Sequence, residues 1–428
     1  VSGPALPDGF RKLAPTERKA LWERLYFDGA EAAAAGNAGA EALELSDLLV
    51  ESAVGALTLP LGIAQGFLID GRRYDLPLAV EEPSVIAAAG YAAHIVAGGG
   101  GFITEADEPL MESYVYLDGV SAAGEARLGS EGAEARIRAA LGAIQGSLER
   151  RGGGYRGRRV YRLPETGLVA LELSVDVRDA MGANILNTAA ETVKPLAEEL
   201  SGGTALMCIL SNASPRRLAR ARFELPLAAL APYTRGFSAE EAARRVVLAW
   251  RLANEDPSRA VTHNKGIMNG VASFAQATLN DTRAVEAAAH AWAARSGRLR
   301  SLSRYEVTDG SLRGSIELPL ALGAVGGSVD LHPAGKAALR LLGNPDSRAL
   351  ARIAAALGLA QNFAAVLALV TGGIQKGHMR LHAARLAYKA GARGDAARHA
   401  ADIIAAGGAY TLAAAEAAVA SLRAGAES

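Results

Sequence analysis

The amino-acid sequence predicts an α+β protein in which a small unit of strands and helices interrupts a larger, mostly helical one. Three observations carry this expectation. A central stretch of about 110 residues reads strand, helix, strand, strand, helix, strand, the order of a compact inserted α+β unit. The segments on either side have apolar residues at helical spacing. The chain has 428 residues, and at roughly 100–200 residues per domain that suggests two or three domains.

The elements follow in order. Residues 15–33 form a helix, opened by Pro15 and Thr16, with Leu21, Leu25 and Tyr26 at helical spacing. Residues 40–57 form a second, ending near Gly55. Thr58 to Val80 alternates and turns at Asp70-Gly71, which reads as a hairpin. Glu81-Glu82-Pro83-Ser84 opens an apolar helix that runs to the glycines at 98–101. The central unit is read as Tyr114–Leu117 (strand), 131–149 (helix), Val160–Leu163 and Leu168–Val177 (strands), a helix from about Ala183, and Arg222–Leu227 (strand). Beyond residue 238 the chain is helical apart from a hairpin at 302–319. From Pro333, suited to a first helical turn, it is helical to the end. Gly372, Gly373 and Gly377 mark a hinge.

Half the residues are apolar but only 5% are aromatic, so the core is built mainly of Ala, Leu, Val and Ile. Lys plus Arg and Asp plus Glu both number 45, for zero net charge. That balance argues against non-specific nucleic-acid binding, which needs a basic surface, and leaves room for a local basic pocket. The single cysteine, Cys208, permits no internal disulfide and reads as a small buried hydrophobe in an apolar run. The first residues do not resemble a signal peptide, and no window of ~18 or more strongly apolar residues is expected. Both readings place the chain in the cytosol, away from membranes.

Several motifs could carry chemistry. Gly152 to Gly157 satisfies G-x-G-x-x-G, but a helix precedes it and a strand follows. A dinucleotide fingerprint needs the opposite order, so this is a tight helix-to-strand turn. His378 and His382 fall on one helical face, yet Met379 stands where a zinc protease needs Glu, so no metal site is read there. Glu81 and Glu82 could be dipole partners at a helix start, or one could be a buried general acid. Lys265, in Thr262-His263-Asn264-Lys265-Gly266, could be an exposed helix lysine or could stabilise negative charge developing on a carbonyl oxygen. Asp281 suits a helix N-cap. Asp176 to Asn184 follows an apolar strand and opens a helix, with small residues that let backbone amides approach a phosphate.

Taken together, these segments resemble the 3-hydroxy-3-methylglutaryl-CoA (HMG-CoA) reductase family, in its soluble bacterial class. The anchors in order are EEPS (81–84), DVRDAMGAN (176–184), LSN (210–212), THNKGIMNG (262–270), GLAQN (358–362) and GHMRLHA (377–383). The resemblance implies a large, mostly helical substrate-binding domain (1–109 and 216–373). It implies an inserted small ferredoxin-like α+β cofactor domain that is not a Rossmann fold (110–215), and a helical C-terminal flap (374–428). By motif, the family's catalytic set falls on Glu82, Lys265, Asp281 and His378. Substrate contacts fall on Arg11, Ser84, Asn212, Arg259, Asn269, Gln361 and His382. The cofactor, NADH or NADPH, would lie on Gln145, Asp179, Ala180, Met181, Gly182, Ala183 and Asn184. The implied reaction is the four-electron reduction of HMG-CoA to mevalonate and CoA with two reduced nicotinamides, in a homodimer or an assembly of dimers with active sites at subunit interfaces.

Two departures stand out. The family's E-N-V-I-G appears here as Glu51-Ser52-Ala53-Val54-Gly55. Gln145 stands where NADH-preferring relatives carry Asp, with Arg150, Arg151, Arg156, Arg158 and Arg159 nearby. An acid favours a free 2′-hydroxyl and arginines favour a 2′-phosphate, which points to NADPH, unless these arginines are a solvated face. Rival readings are the same catalyst run oxidatively on mevalonate, a CoA- or nucleotide-binding protein without turnover, and a CoA-dependent lyase or transferase.

Overall fold

The structure is a computed structural model that describes residues 12–26, 40–372 and 375–426. The N-terminal helices are α1 (Pro15–Tyr26) and α2 (Ala40–Leu49). The second is shorter than its sequence suggests, for a local reason. Buried Arg18 pairs with Asp47 and donates from Nε to the Ala53 carbonyl at 2.9 Å, so the chain past Leu49 folds back onto α1. Ser52, at the family's Asn position, takes φ 59° there, a left-handed conformation that Asn tolerates better than Ser. The expected hairpin forms as β1 (Leu61–Ile69) and β2 (Arg72–Ala79), with Asp70 and Gly71 both at positive φ, as a tight hairpin turn requires. It leads into α3 (Val85–Ala97) and β3 (Ile103–Ala106).

The small unit comprises β4 (Leu110–Asp118), α4 (Ala122–Leu128), α5 (Glu131–Arg150), β5 (Gly154–Arg162), β6 (Val169–Asp176), α6 (Ala183–Ser201) and β7 (Thr204–Leu210). Its strands are antiparallel in the order β5-β6-β4-β7, the ferredoxin-like arrangement. One strand differs from expectation. The fourth is the run containing Cys208, not Arg222–Leu227. As an edge strand, β7 exposes Leu206, Met207 and Ile209, and Cys208 is only partly buried, so the reading of a buried thiol does not hold. The glycine motif at 152–157 joins α5 to β5 as a turn, with Gly152 at φ 81° and Gly154 at φ 96°.

The chain continues with β8 (Leu218–Pro226), α7 (Leu227–Leu230), α8 (Ala239–Glu255), α9 (Pro257–Ala277), α10 (Thr282–Ala293), β9 (Ser303–Thr308) and β10 (Ser311–Pro319). Then come α11 (Pro333–Leu341), α12 (Ser347–Thr371), α13 (Gln375–Lys389), α14 (Gly394–Gly407) and α15 (Leu412–Ala426). The Arg222–Leu227 segment lies in a second antiparallel sheet of order β3-β8-β10-β9, covered by α12, with α8 against β9 and α10 against β10. Three hydrophobic clusters result. The largest draws on residues from Ala64 to Leu367, the second lies under the ferredoxin-like sheet, and the third is an alanine-rich cluster within α13–α15.

Helix α12 corrects one expectation. Its 25 residues are long and apolar enough to cross a membrane by length and composition, but 78% of its most apolar window is buried inside the protein. It is the central helix of the large core. It crosses α9 closely because both helices carry glycine at the contact. A Cβ at Gly358 would sit 2.9 Å from Val271 Cγ2, and one at Gly270 would sit 3.2 Å from Gln361 Cβ and Leu357 Cγ. Gly358→Val should therefore force the helices apart. A loss of about 1–3 kcal/mol is expected, read as a lower denaturant midpoint with an unchanged m-value.

Candidate active site

Helix α9 carries the first part of the site. Pro257 opens it and the Asp256 carboxylate accepts from Ser258 N at 2.9 Å. Ile267, Met268, Val271, Phe274 and Ala275 face the core. Helical spacing then turns Thr262, Lys265 and Asn269 the other way, onto a cleft of about 1440 Å³. This cleft also receives Glu82 and Ser84 from the turn before α3, Arg259 from the first turn of α9, and Gln361 from α12. Six residues anticipated from sequence (Glu82, Ser84, Arg259, Lys265, Asn269 and Gln361) thus share one cavity.

Lys265 Nζ donates to Glu82 Oε2 at 3.0 Å. The two side chains are 58% and 39% exposed, so the pair adds little to stability, on the order of 0–1 kcal/mol. The buried setting considered for a general acid is not formed at Glu82. Ser84 takes φ 76° and makes no capping bond to α3, and its hydroxyl makes no hydrogen bond among the described residues. Gln361 is 5% exposed and its Oε1 has no partner among the described residues. At the wall of the cleft, such a buried acceptor is available to a ligand. Arg259 makes no hydrogen bond or ion pair among the described residues.

A histidine that sequence reading passed over lies beneath this face. His263 is 2% exposed; its Nε2 contacts Ser303 Oγ at 2.7 Å and Asn362 Nδ2 at 3.1 Å. Ser303 Oγ and Tyr305 OH both donate to Asn362 Oδ1 at 2.8 Å. Beside it, the Asn264 amide bridges Arg300 O and Leu302 N. The polar run around Lys265 therefore does two jobs. His263 and Asn264 tie α9 to the start of β9, while Lys265 and Asn269 face the cleft. The signal was present in the sequence as a His and an Asn at consecutive core-facing positions of a helix.

The flap residues are placed less directly. Helix α13 passes the turn before α3, where Arg385 Nη2 donates to Glu81 O at 3.2 Å. His382, one turn back on α13, is exposed. The side chain of His378 and the whole of Arg11 lie outside the described residues.

Asp281 is not brought to Lys265 within this chain. Helix α9 rises about 18 Å between Lys265 and Ala277, and Asp281 lies beyond that far end. There it N-caps α10, its Oδ1 accepting from Arg283 N (3.0 Å) and Ala284 N (3.1 Å). Burial pushes this carboxyl up, but the Ala284 amide and the Arg283 side chain outweigh it and hold it below its usual range. Its Oδ2 accepts no hydrogen bond among the described residues.

What Asp281 adjoins is the turn after β6. Asn280 exchanges two hydrogen bonds with Gly323, donating from Nδ2 to O at 3.1 Å and accepting from N at 2.7 Å. A Cβ on Gly323 would lie 2.5 Å from Met181 N. The turn itself is anchored at Asp179, whose Oδ1 accepts from Ser347 N at the start of α12 (3.0 Å) and whose carbonyl accepts from Ala324 N (2.8 Å). Gly182, at φ 111°, begins α6 without a capping side chain. A Cβ there would press on Val177 at 2.9 Å. Asn184 is exposed and Ala180, Met181 and Ala183 are half-buried.

The remaining positions are scattered. Asn212 is exposed just past β7. Gln145 is 4% exposed on α5, and neither amide atom has a partner among the described residues. Of the five arginines near it, Arg158 pairs with Glu134, Arg159 with Glu172 and Arg156 with Asp176. Arg159 and Arg156 also line a smaller cavity, about 550 Å³, beside Glu112 and Arg216. Only Arg150 and Arg151 of the five are without a partner among the described residues.

Burial and the nearby Arg259 cation hold His263 near pKa 3, against about 6.5 when unfolded. Between these values the unfolded chain binds the extra proton, so stability is fully present above pH 6.5 and falls as pH drops toward 3. The slope is about 1.4 kcal/mol per pH unit at most. The His263 ring should show no NMR titration from pH 8 to 5, and His263→Gln should flatten the acid limb of unfolding free energy. A ring that titrates near 6.5 would contradict this account.

Comparison with known proteins accords with the geometry. The family model described as hydroxymethylglutaryl-coenzyme A reductase matches residues 14–383. The chain is 41% identical over 391 residues to the 3-hydroxy-3-methylglutaryl-coenzyme A reductase of Archaeoglobus fulgidus, covering 90% of this chain and 88% of that one. It is 35% identical over 342 residues to a probable reductase of Borreliella burgdorferi, covering 79% and 78%. Its fold is similar to the reductase from Streptococcus pneumoniae, with TM-score 0.76, 36% identity and coverage of 97% and 99%. It also matches a structure of the pneumococcal class II enzyme bound to NADPH in open conformations, with TM-score 0.75, 35% identity and coverage of 96% and 100%. The chain belongs to the hydroxymethylglutaryl-coenzyme A reductase family.

Proposed function

We propose that this chain reduces HMG-CoA to mevalonate and CoA, using two molecules of NADPH per turnover, in the cytosol. The observation that supports this best is the cleft holding Glu82, Ser84, Arg259, Lys265, Asn269 and Gln361. A carboxylate-bearing acyl group needs a cation to clamp it, and the uncommitted guanidinium of Arg259 suits that task. A thioester carbonyl taking a hydride becomes an oxyanion, and Lys265 would stabilise that charge in both reductive steps. Glu82, already hydrogen-bonded to Lys265, would deliver the proton as the aldehyde is reduced. His378, carried on α13, would protonate the departing CoA thiolate, with His382 near the thiol end.

The residues after β6 fit a dinucleotide. Helix α6 starts at a glycine with no side-chain cap, which leaves its first amides to an anion. When bound there, the nicotinamide supplies hydride. The chain's own part is to hold it on Asp179–Asn184, with Asn212 at the neighbouring strand end. Arg150 and Arg151 are the arginines left to meet a 2′-phosphate, which favours NADPH over NADH. We further propose the division into a large domain (1–109 and 216–373), a small one (110–215) and a flap (374–428).

Asp281 calls for a partner subunit in this scheme. It sits with the cofactor turn, at the far end of α9 from Lys265, so one chain supplies Glu82 and Lys265 and a second copy supplies Asp281. A homodimer with sites across the interface follows. Mevalonate oxidation uses the same residues in reverse, and no observation here favours it.

Three measurements test this reading. Mixing the protein with HMG-CoA and NADPH should consume about two cofactors per CoA released; no consumption with either nicotinamide would refute it. Lys265→Ala should lower kcat by about 10²-fold or more with an unchanged melting temperature, since the side chain is exposed. Lys265→Ala and Asp281→Ala subunits, each inactive alone, should on mixing regain about a quarter of wild-type activity, because each mixed dimer rebuilds one site. No recovery on subunit exchange would rule out the shared site.

A further inference from the structure

We propose that Arg217 is a positioning residue for the reductase reaction, fixing the cofactor turn against the segment that carries Asp281. The proposal rests on the reading that the cofactor lies on Asp179–Asn184.

Arg217 follows the small unit and is 4% exposed. Its Nη1 donates to Met181 O at 2.9 Å and lies 3.1 Å from Met111 Sδ. Its Nη2 donates to Leu322 O at 2.6 Å and Ala180 O at 3.2 Å. Two of these carbonyls belong to the cofactor turn and one to the strand exit after β10. The next residue, Gly323, is the one that Asn280 grips from both sides, and Asn280 immediately precedes Asp281. One side chain therefore joins the turn that would hold the nicotinamide to the support of a catalytic carboxylate.

The chemistry of the residue matches this task. A guanidinium offers donors in a fixed plane, so it can hold carbonyls from two segments at a set spacing. An ammonium cannot impose that geometry. Among the described residues no carboxylate lies within ion-pair distance of Arg217, so carbonyls take its donors directly while Asp176 and Asp179 act on its charge from farther away. Burial pulls the group down to about 10, which leaves it protonated at neutral pH. A cation buried without a direct ion-pair partner is costly, and packing alone would be better served by an apolar side chain. The cation also holds the Met181 carbonyl, one residue before the uncapped start of α6, where it would add to the attraction for a dinucleotide phosphate.

The test uses the full-length enzyme with Arg217→Met, Arg217→Lys and Asn184→Ala. Arg217→Met should raise the KM for NADPH by about tenfold or more and lower kcat, while the KM for HMG-CoA stays within about twofold. Arg217→Lys should recover part of the NADPH affinity. Asn184, exposed at the start of α6, checks the underlying reading separately. If Asn184→Ala leaves the NADPH KM unchanged, the cofactor does not lie on this turn. If Asn184→Ala raises it while both Arg217 variants keep wild-type NADPH KM, the positioning role is wrong. Parallel loss of affinity for both substrates, or a lower melting temperature with both KM values unchanged, also overturns it. Should Arg217→Met fail to fold, NADPH binding by Arg217→Lys, followed by fluorescence, decides the question.

Discussion

The close crossing of α9 and α12 is the constraint on which the rest of the molecule depends. Glycines 270 and 358 bring the helix axes together, and the contact they permit fixes where Gln361 stands relative to Lys265 and Asn269. Moving either helix outward would widen the cleft and expose the apolar faces that hold the large core together. The polar network below, from His263 through Ser303 and Asn362 to Tyr305, locks the rotation of α9 about its axis. Rotation matters because Lys265 and the core-facing Met268 are separated by less than one helical turn. Packing at the crossing and hydrogen bonding beneath it together decide which residues meet a ligand.

The same helix explains why the chain's catalytic candidates form two groups. Glu82 and Lys265 meet near the N-terminal half of α9, while Asp281 and the turn at 179–184 gather past its C-terminal end. Asp281 commits one carboxylate oxygen to capping α10 and keeps the other clear of internal bonds. A carboxylate used in this way is oriented without being consumed, which suits the role proposed for Asp281 across a subunit interface.

Much of this was legible in the sequence. The hairpin at Asp70-Gly71, the apolar helix after Ser84 and the terminal helices were visible because each combines a strong periodicity with a clear start or stop signal. The glycine motif at 152–157 was correctly set aside because its neighbours came in the wrong order. The fourth strand of the small sheet was misplaced because both Thr204–Leu210 and Arg222–Leu227 read as strands, and only tertiary pairing assigns each to its sheet. Six cleft residues were named from motifs, yet spacing could not show that Asp281 lies at the other end of a 21-residue helix from them. Nor could it show that Gln145 is buried, that three neighbouring arginines have carboxylate partners, or that His263 is neutral. Those properties arise from groups distant in sequence.

The three hydrophobic clusters differ in how much of the chain each needs. The one under the ferredoxin-like sheet draws almost all its members from residues 111–197, with Ala321 the exception. The large one spans Ala64 to Leu367 and is closed by α12. During synthesis, which proceeds from the N-terminus and lets compact units fold as they emerge, the small unit can form while the residues flanking it still lack their partners. The large core cannot close until α12 has left the ribosome, so the β1–β2 hairpin and β3, which pairs with β8, wait for most of translation without the helix that buries them. The insertion thus brings an early-folding body into the middle of a late-folding one, and the long apolar helix α12 is the piece that ends the wait.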